Sequence, residues 1–245
     1  MFTALSPSWQ RAWLIGLLVL WALLLFGGFV FGQGDRRMPA WTRLASSATL
    51  VVAAFSWLAF SRGTPAAAYA LLIAVGMSFG FLGDLALAGW LPGGRQVIGG
   101  MAAFGLGHVA YILAFLRYAN MAGRHDARHW LALAVWLLLG LVGWYVIVYR
   151  GAARGDGLTV VHWIALPYAL LLAGAAGLAS GLAQADGRFL PLALGAALFL
   201  LSDLILAGEM FSGLTFPLIG DAIWLTYGPA QMLIVYSVGV VLAGL

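Results

Sequence analysis

The chain is written as long apolar runs separated by short clusters of Gly, Pro, Arg and Asp. The runs fall at about 11–31, 41–60, 66–89, 97–118, 129–150, 158–181, 188–211 and 218–243. Each is near the roughly 20 residues a helix needs to cross the hydrocarbon core of a bilayer. Since no water in that core can satisfy a bare amide, each run is predicted to be helical, and the lengths exclude the shorter strands of a membrane barrel. The pattern therefore predicts an all-α fold, a polytopic bundle of eight transmembrane helices forming a single integral membrane domain over residues 1–245, with both termini on one side. The first run is longer than a signal-peptide core and leads into GQGDRR rather than a small-residue cleavage site, so it is read as a retained span.

Composition agrees: 64% of residues are hydrophobic, 8% are charged, and the mean hydropathy is +1.01, outside the range of soluble domains. The net charge of +4 does not point to nucleic acid, because all twelve cations are Arg scattered through short loops. They read as interfacial anchors and candidate phosphate ligands. Arg11, Arg62, Arg117, Arg124, Arg128 and Arg188 fall on the side of the termini, and Arg36, Arg37, Arg43, Arg95, Arg150 and Arg154 on the other. The positive-inside rule thus returns a tie and sets no orientation. The absence of cysteine excludes disulfides, thiolate nucleophiles and thiolate-bound metals. No Walker loop, GxSxG elbow or HExxH motif occurs, which argues against ATP-driven transport, serine-lipase chemistry and zincin proteolysis.

Two polar intrusions change the picture. FLGDLALAG puts Asp84 inside the third run, and LLSDLILAG puts Asp203 inside the seventh, 119 residues later and matching at six of nine positions. The register superposes residues 76–90 on 195–209 and carries His108 onto Tyr227, which suggests two parallel four-helix repeats, 1–120 and 121–245, about an axis along the membrane normal. An ionised carboxylate at mid-bilayer costs about 2.5–3.5 kcal/mol even on permissive scales. Asp84 and Asp203 are therefore expected to share an interior polar chamber, with one proton held between them, giving an acid and a base. Gly76, Gly80 and Gly83 would let helices approach beside Asp84, and Ser202 would hydrogen-bond beside Asp203. His108 and Tyr111 share one helical face, as do Tyr227 and Gln231 around Pro229.

Weaker candidates are read structurally. His125 and His129 are expected in a solvated connection, His162 at the interface, and Glu209 and Asp221 in water beside the last loop. Trp9, Trp41, Trp90 and Trp130 look like aromatic-belt anchors. No metal and no cofactor are called for, since the intramembrane His residues are too few for a metal site.

Four short motifs occur in order: Gly83-Asp84-Leu85; Phe104, Gly105, His108 and Tyr111; Gly195, Ala196, Phe199, Ser202 and Asp203; and Tyr227 with Gln231. Together, over about residues 70–240, they resemble the YhhN-like lysoplasmalogenase family. The resemblance implies hydrolysis of the vinyl ether bond of lysoplasmalogens to a fatty aldehyde and a glycerophospho-alcohol, by a multi-pass protein of a bacterial inner or cell membrane. Under that reading Asp84 and Asp203 are the catalytic pair and His108 orients or relays a proton. Tyr111, Ser202, Tyr227 and Gln231 hold polar atoms of the substrate, and Arg95 or a neighbour meets its phosphate. The partners implied are a lysophospholipid substrate and membrane lipid, with no nucleic acid and no obligate protein partner. The competing class is a proton-coupled small-molecule or lipid transporter using the same carboxylates.

Overall fold

A computed structural model describes residues 8–34, 36–124, 127–154 and 157–244, with the Arg154 side chain left out. Among them are eight helices long and apolar enough to span a membrane: α1 Ser8–Phe31, α2 Ala40–Phe60, α3 Ala67–Ala88, α4 Val97–Met121, α5 Ala127–Ala153, α6 Val160–Ala185, α7 Gly187–Phe211 and α8 Ile219–Ala243. No strand occurs among the described residues. Breakers set the boundaries as the pattern predicts: Gly89 closes α3 in the left-handed conformation at φ 74°, a region glycine enters without steric cost.

Six of the helices form a ring. α2 packs on α3, α3 on α4, α4 on α6, α6 on α7, α7 on α8, and α8 returns to α2. α1 lies outside against α2, and α5 outside mainly against α6. The central window of each of these two is only 22% buried, so most of their Leu and Val side chains are left for lipid. Both also contain a π-helical stretch, Leu23–Gly27 in α1 and Trp144–Tyr149 in α5. In α5 that wider turn carries Trp144 and Val148 inward, where they pack with Ala165 of α6. The two-repeat arrangement rests on the sequence register alone.

Two expectations about polar residues, those for Asp221 and His129, change on folding. Asp221, expected in water, is buried at the first turn of α8 and accepts the backbone N–H of Arg37 and of Met38, each at 2.9 Å. The α1–α2 connection folds over the α8 N-terminus, where a carboxylate also suits the helix dipole. His129 is likewise not in a solvated loop but buried on α5, tight against Gly181 of α6, where an added Cβ would lie 2.3 Å from its ring. His125 lies outside the described residues. His162 is at the start of α6 as expected, but it is engaged: its Nδ1 accepts the Thr159 backbone N–H at 2.9 Å, closing a capping box, and its ring packs on Phe211. Glu209 stays partly exposed and faces Arg36 at 3.9 Å. Trp9, Trp41, Trp90 and Trp130 are all exposed near helix ends, as belt residues should be.

At the end of the bundle near the termini, Asp186 links the α4–α5 connection to the start of α7. It accepts from Arg124 at 3.2 Å and from Arg188 at 2.7 Å, and the Arg188 hydrogen bonds hold its carboxyl well below the usual range, at about 2. A depressed carboxyl contributes stability that is present above its unfolded pKa and is lost as pH falls through the folded one. Asp186→Asn is therefore expected to lower the unfolding temperature above about pH 4 and to match the wild type as pH falls toward about 2, as thermal unfolding of the purified variant across pH would show. At the other end, Asp221→Ala strands the buried Met38 amide and the part-buried Arg37 amide and is expected to cost about 1–3 kcal/mol. Asp221→Asn, which keeps an acceptor, should cost less; thermal unfolding in detergent measures both.

Candidate active site

The ring, with α5 against it, lines a cavity of about 370 Å³ at the end opposite the termini. Its walls come from the first turns of α2, α4, α6 and α8 and the last turns of α3, α5 and α7. Most of the lining is apolar, from Met101, Phe104, Leu172, Leu200 and Leu204 among others. Into this wall project two carboxylates, Asp84 from α3 and Asp203 from α7. The sequence expectation that they share one chamber is met in this geometry.

Each acid is held by hydroxyls. Asp84 Oδ2 accepts from Ser47 Oγ of α2 at 2.5 Å and from Tyr227 OH of α8 at 3.0 Å. Asp203 Oδ2 accepts from Tyr168 OH of α6. The second oxygen of each carboxylate has no hydrogen-bond donor among the described residues, so each acid is anchored through one oxygen and leaves the other for the cavity.

Behind Tyr227 the donors run in one direction. Tyr111 OH donates to Gln231 Oε1 at 2.7 Å, Gln231 Nε2 to Tyr227 OH at 3.1 Å, and Tyr227 OH to Asp84. In such a chain each bond polarises the next. Close packing fixes it in place: a Cβ on Gly76 would lie 2.3 Å from the Tyr111 ring, one on Gly80 2.5 Å from Gln231 Nε2, and one on Gly83 2.6 Å from the Phe104 ring. The three glycines thus admit from α4 and α8 the side chains that surround Asp84.

The candidates of the sequence divide into two groups. Asp84, Asp203, Ser202, Tyr227 and Arg95 line the cavity. Ser202 Oγ, however, donates to the Ile223 carbonyl at 3.0 Å, so it ties α7 to α8 rather than standing free. Tyr111 and Gln231 are one shell back, supporting Tyr227. His108 does not reach the lining: it is buried, its Nδ1 is 3.0 Å from the Phe104 carbonyl, and its ring meets Phe199 edge-on at 4.4 Å. It packs behind Tyr168, with ring centroids 6.4 Å apart.

Three residues at the cavity or its acids carry no expectation from the sequence: Ser47, Tyr168 and Trp224. Ser47 lies in the polar SSAT stretch of the second apolar run, and Tyr168 follows Pro167 within the sixth. Both are hydroxyls at membrane depth, the same kind of signal that drew attention to the acids.

The profile of the YhhN family matches residues 40–238. The chain belongs to the YhhN family. The match begins at α2, a helix in which no YhhN motif was recognised from the sequence, and so takes in Ser47 as well as both acids. It leaves out α1, which lies outside the ring. No curated protein and no solved structure gives a significant match to the chain.

Gly80→Ala is expected to push Gln231 away from Tyr227 and to destabilise the fold by about 1–3 kcal/mol. Leu82→Ala, on the exposed face of the same helix, should cost under about 0.5 kcal/mol. Thermal unfolding of both variants in detergent compares them.

Proposed function

We propose that this member of the YhhN family is a membrane hydrolase that cleaves the vinyl ether bond of lysoplasmalogens, releasing a fatty aldehyde and a glycerophospho-alcohol. The observation that carries the reading is the pair of acids, Asp84 and Asp203, in one largely apolar cavity, each held by hydroxyls through a single oxygen. A chamber lined by Leu, Met and Phe suits an alkenyl chain, and of the carboxyls that line it among the described residues, Asp84 and Asp203 are the two within the membrane-spanning helices held by hydroxyl donors.

The chemistry matches such a pair. In a vinyl ether, R–CH=CH–O–R′, the oxygen lone pair makes the outer alkene carbon basic. One carboxyl, protonated, delivers its proton to that carbon, leaving an oxocarbenium ion that the other, ionised, carboxylate stabilises. The ionised carboxylate then takes a proton from water as the water oxygen bonds to the cationic carbon, giving a hemiacetal. Collapse of the hemiacetal breaks the C–O bond to R′, with the alkoxide protonated as it leaves, and yields R–CH2–CHO and HO–R′. The net consumption is one water, and no redox partner is needed. Paired carboxylates divide acid and base roles in the same way in glycosidases, which also pass through an oxocarbenium-like state. Tyr168 and Tyr227 orient the two acids, and Gln231 and Tyr111 set the direction of the Tyr227 hydroxyl.

Asp84→Asn and Asp203→Asn should each lower aldehyde release from a lysoplasmalogen by about 10³-fold while the purified protein keeps its monodisperse profile in detergent. Full activity in either variant would remove the catalytic assignment. Tyr168→Phe, which keeps the ring and loses the hydroxyl, should lower the rate about tenfold. Aldehyde and free fatty acid assayed separately over a panel of lysolipids distinguish vinyl ether from ester cleavage. Uptake into sealed vesicles driven by a pH gradient, with no aldehyde released, would replace the hydrolase by a carrier.

A further inference from the structure

Three guanidinium groups, Arg36, Arg43 and Arg95, line the same cavity, against the single carboxylate Glu209 at its rim. Arg36 and Arg95 are exposed, and Arg36 already faces Glu209. Arg43 is placed differently. Its guanidinium lies over the Trp224 ring, 5.5 Å from the centroid, and its Nε is shielded from solvent with no acceptor among the described residues. The acids within its electrostatic reach are Asp84 and Asp221, and both are committed elsewhere: Asp84 to Ser47 and Tyr227, Asp221 to the backbone of Arg37 and Met38. Arg36 adds a like charge beside it. A fixed cation with an unmet buried donor, next to a second cation and facing a cavity, is an arrangement that an anion stabilises.

The spacing says which anion. Arg43 and Ser47 are four residues apart on α2 and so lie on one face, about 6 Å apart along the axis. Ser47 is hydrogen-bonded to Asp84. In a lysophospholipid five bonds separate the phosphorus from the sn-1 oxygen, a reach of roughly 6 Å when extended. A phosphate at Arg43 therefore sets the sn-1 linkage at the level of Asp84.

We propose that Arg43, with Arg36 and Arg95 beside it, is the phosphate-binding site of the cavity, and that it sets how deep a lysophospholipid enters. The inference rests on the reading of a lysolipid as substrate, and it adds the residue that recognises the headgroup phosphate and positions the bond to be broken. Guanidinium groups suit this task because their planar donor fork matches two phosphate oxygens.

The test measures binding apart from turnover. Purified protein in detergent is titrated with 1-O-hexadecyl-glycerophosphocholine, whose saturated ether cannot be protonated at carbon, with 1-O-hexadecylglycerol, which lacks the phosphate, and with inorganic phosphate as competitor. The wild type is expected to prefer the phosphate-bearing ether by at least about tenfold. Arg43→Gln should reduce that preference to under about threefold, Arg43→Lys should recover part of it, and Arg62→Gln at the opposite end should leave it intact. Competition by millimolar phosphate would assign the site to the anion itself, and lack of competition to the lipid-borne phosphate; either result supports the site provided Arg43→Gln removes the preference. An unchanged preference in Arg43→Gln overturns the proposal. If that variant does not fold, the exposed Arg36→Gln and Arg95→Gln take its place, and unchanged preference in both overturns it equally. Arg43-dependent binding without aldehyde release from a vinyl ether lipid would sink the hydrolase reading and leave this site standing. Aldehyde release with an Arg43-independent preference would do the reverse.

Discussion

Two carboxylates lie within helices that otherwise belong in oil, and the rest of the architecture follows from accommodating them. Neither can face lipid, because hydrocarbon offers nothing to solvate an acid. Four helices therefore supply the solvation that water would give: α2 through Ser47, α6 through Tyr168, α8 through Tyr227, and α4 indirectly through Tyr111. The ring of six helices is the arrangement that lets those donors converge from different directions on α3 and α7. Small residues on α3 make the convergence tight enough for hydrogen bonding, since a side chain at Gly76 or Gly80 would displace Tyr111 or Gln231 of the network, and one at Gly83 would displace Phe104 of the cavity wall.

The same constraint separates site from scaffold. Among the described residues α1 and α5 bring no hydrogen-bonding group to the acids, and both lie outside the ring, presenting Leu and Val to the membrane. Polar groups away from the acids act as ties: Asp221 holds the α1–α2 connection over α8, Asp186 holds Arg124 and Arg188 together at the far end, and Ser202 bonds α7 to α8. The Asp221 tie matters for the site because it holds the backbone just before α2, and so helps place the cationic rim above the acids.

Much of this was legible in one dimension. Span number, span bounds to within a few residues, and the presence of two special acids all follow from the cost of polar groups in hydrocarbon, which acts on each residue independently of its neighbours. That cost marked Asp84, Asp203, His108, Tyr111, Tyr227 and Gln231 alike as interior. It cannot rank interior residues, since a side chain pays the same penalty whether it lines a cavity or braces one that does. His108 and Tyr227 looked equivalent in the sequence register, yet Tyr227 touches Asp84 while His108 is closed off behind Phe199 and Tyr168.

The sequence by itself determined an all-helical, membrane-spanning chain with two intramembrane acids on helices crossing in the same sense, because hydropathy and helical periodicity are local properties. Only the tertiary structure decided that α1 and α5 leave the ring, that Ser47 and Tyr168 are the hydroxyls meeting the acids, and that Asp221 and His129 are buried. Each of these depends on which helix lies beside which, and helix neighbours in a bilayer are chosen by shape and hydrogen bonding between faces far apart in the chain. Those choices leave little trace in the order of residues along any one helix.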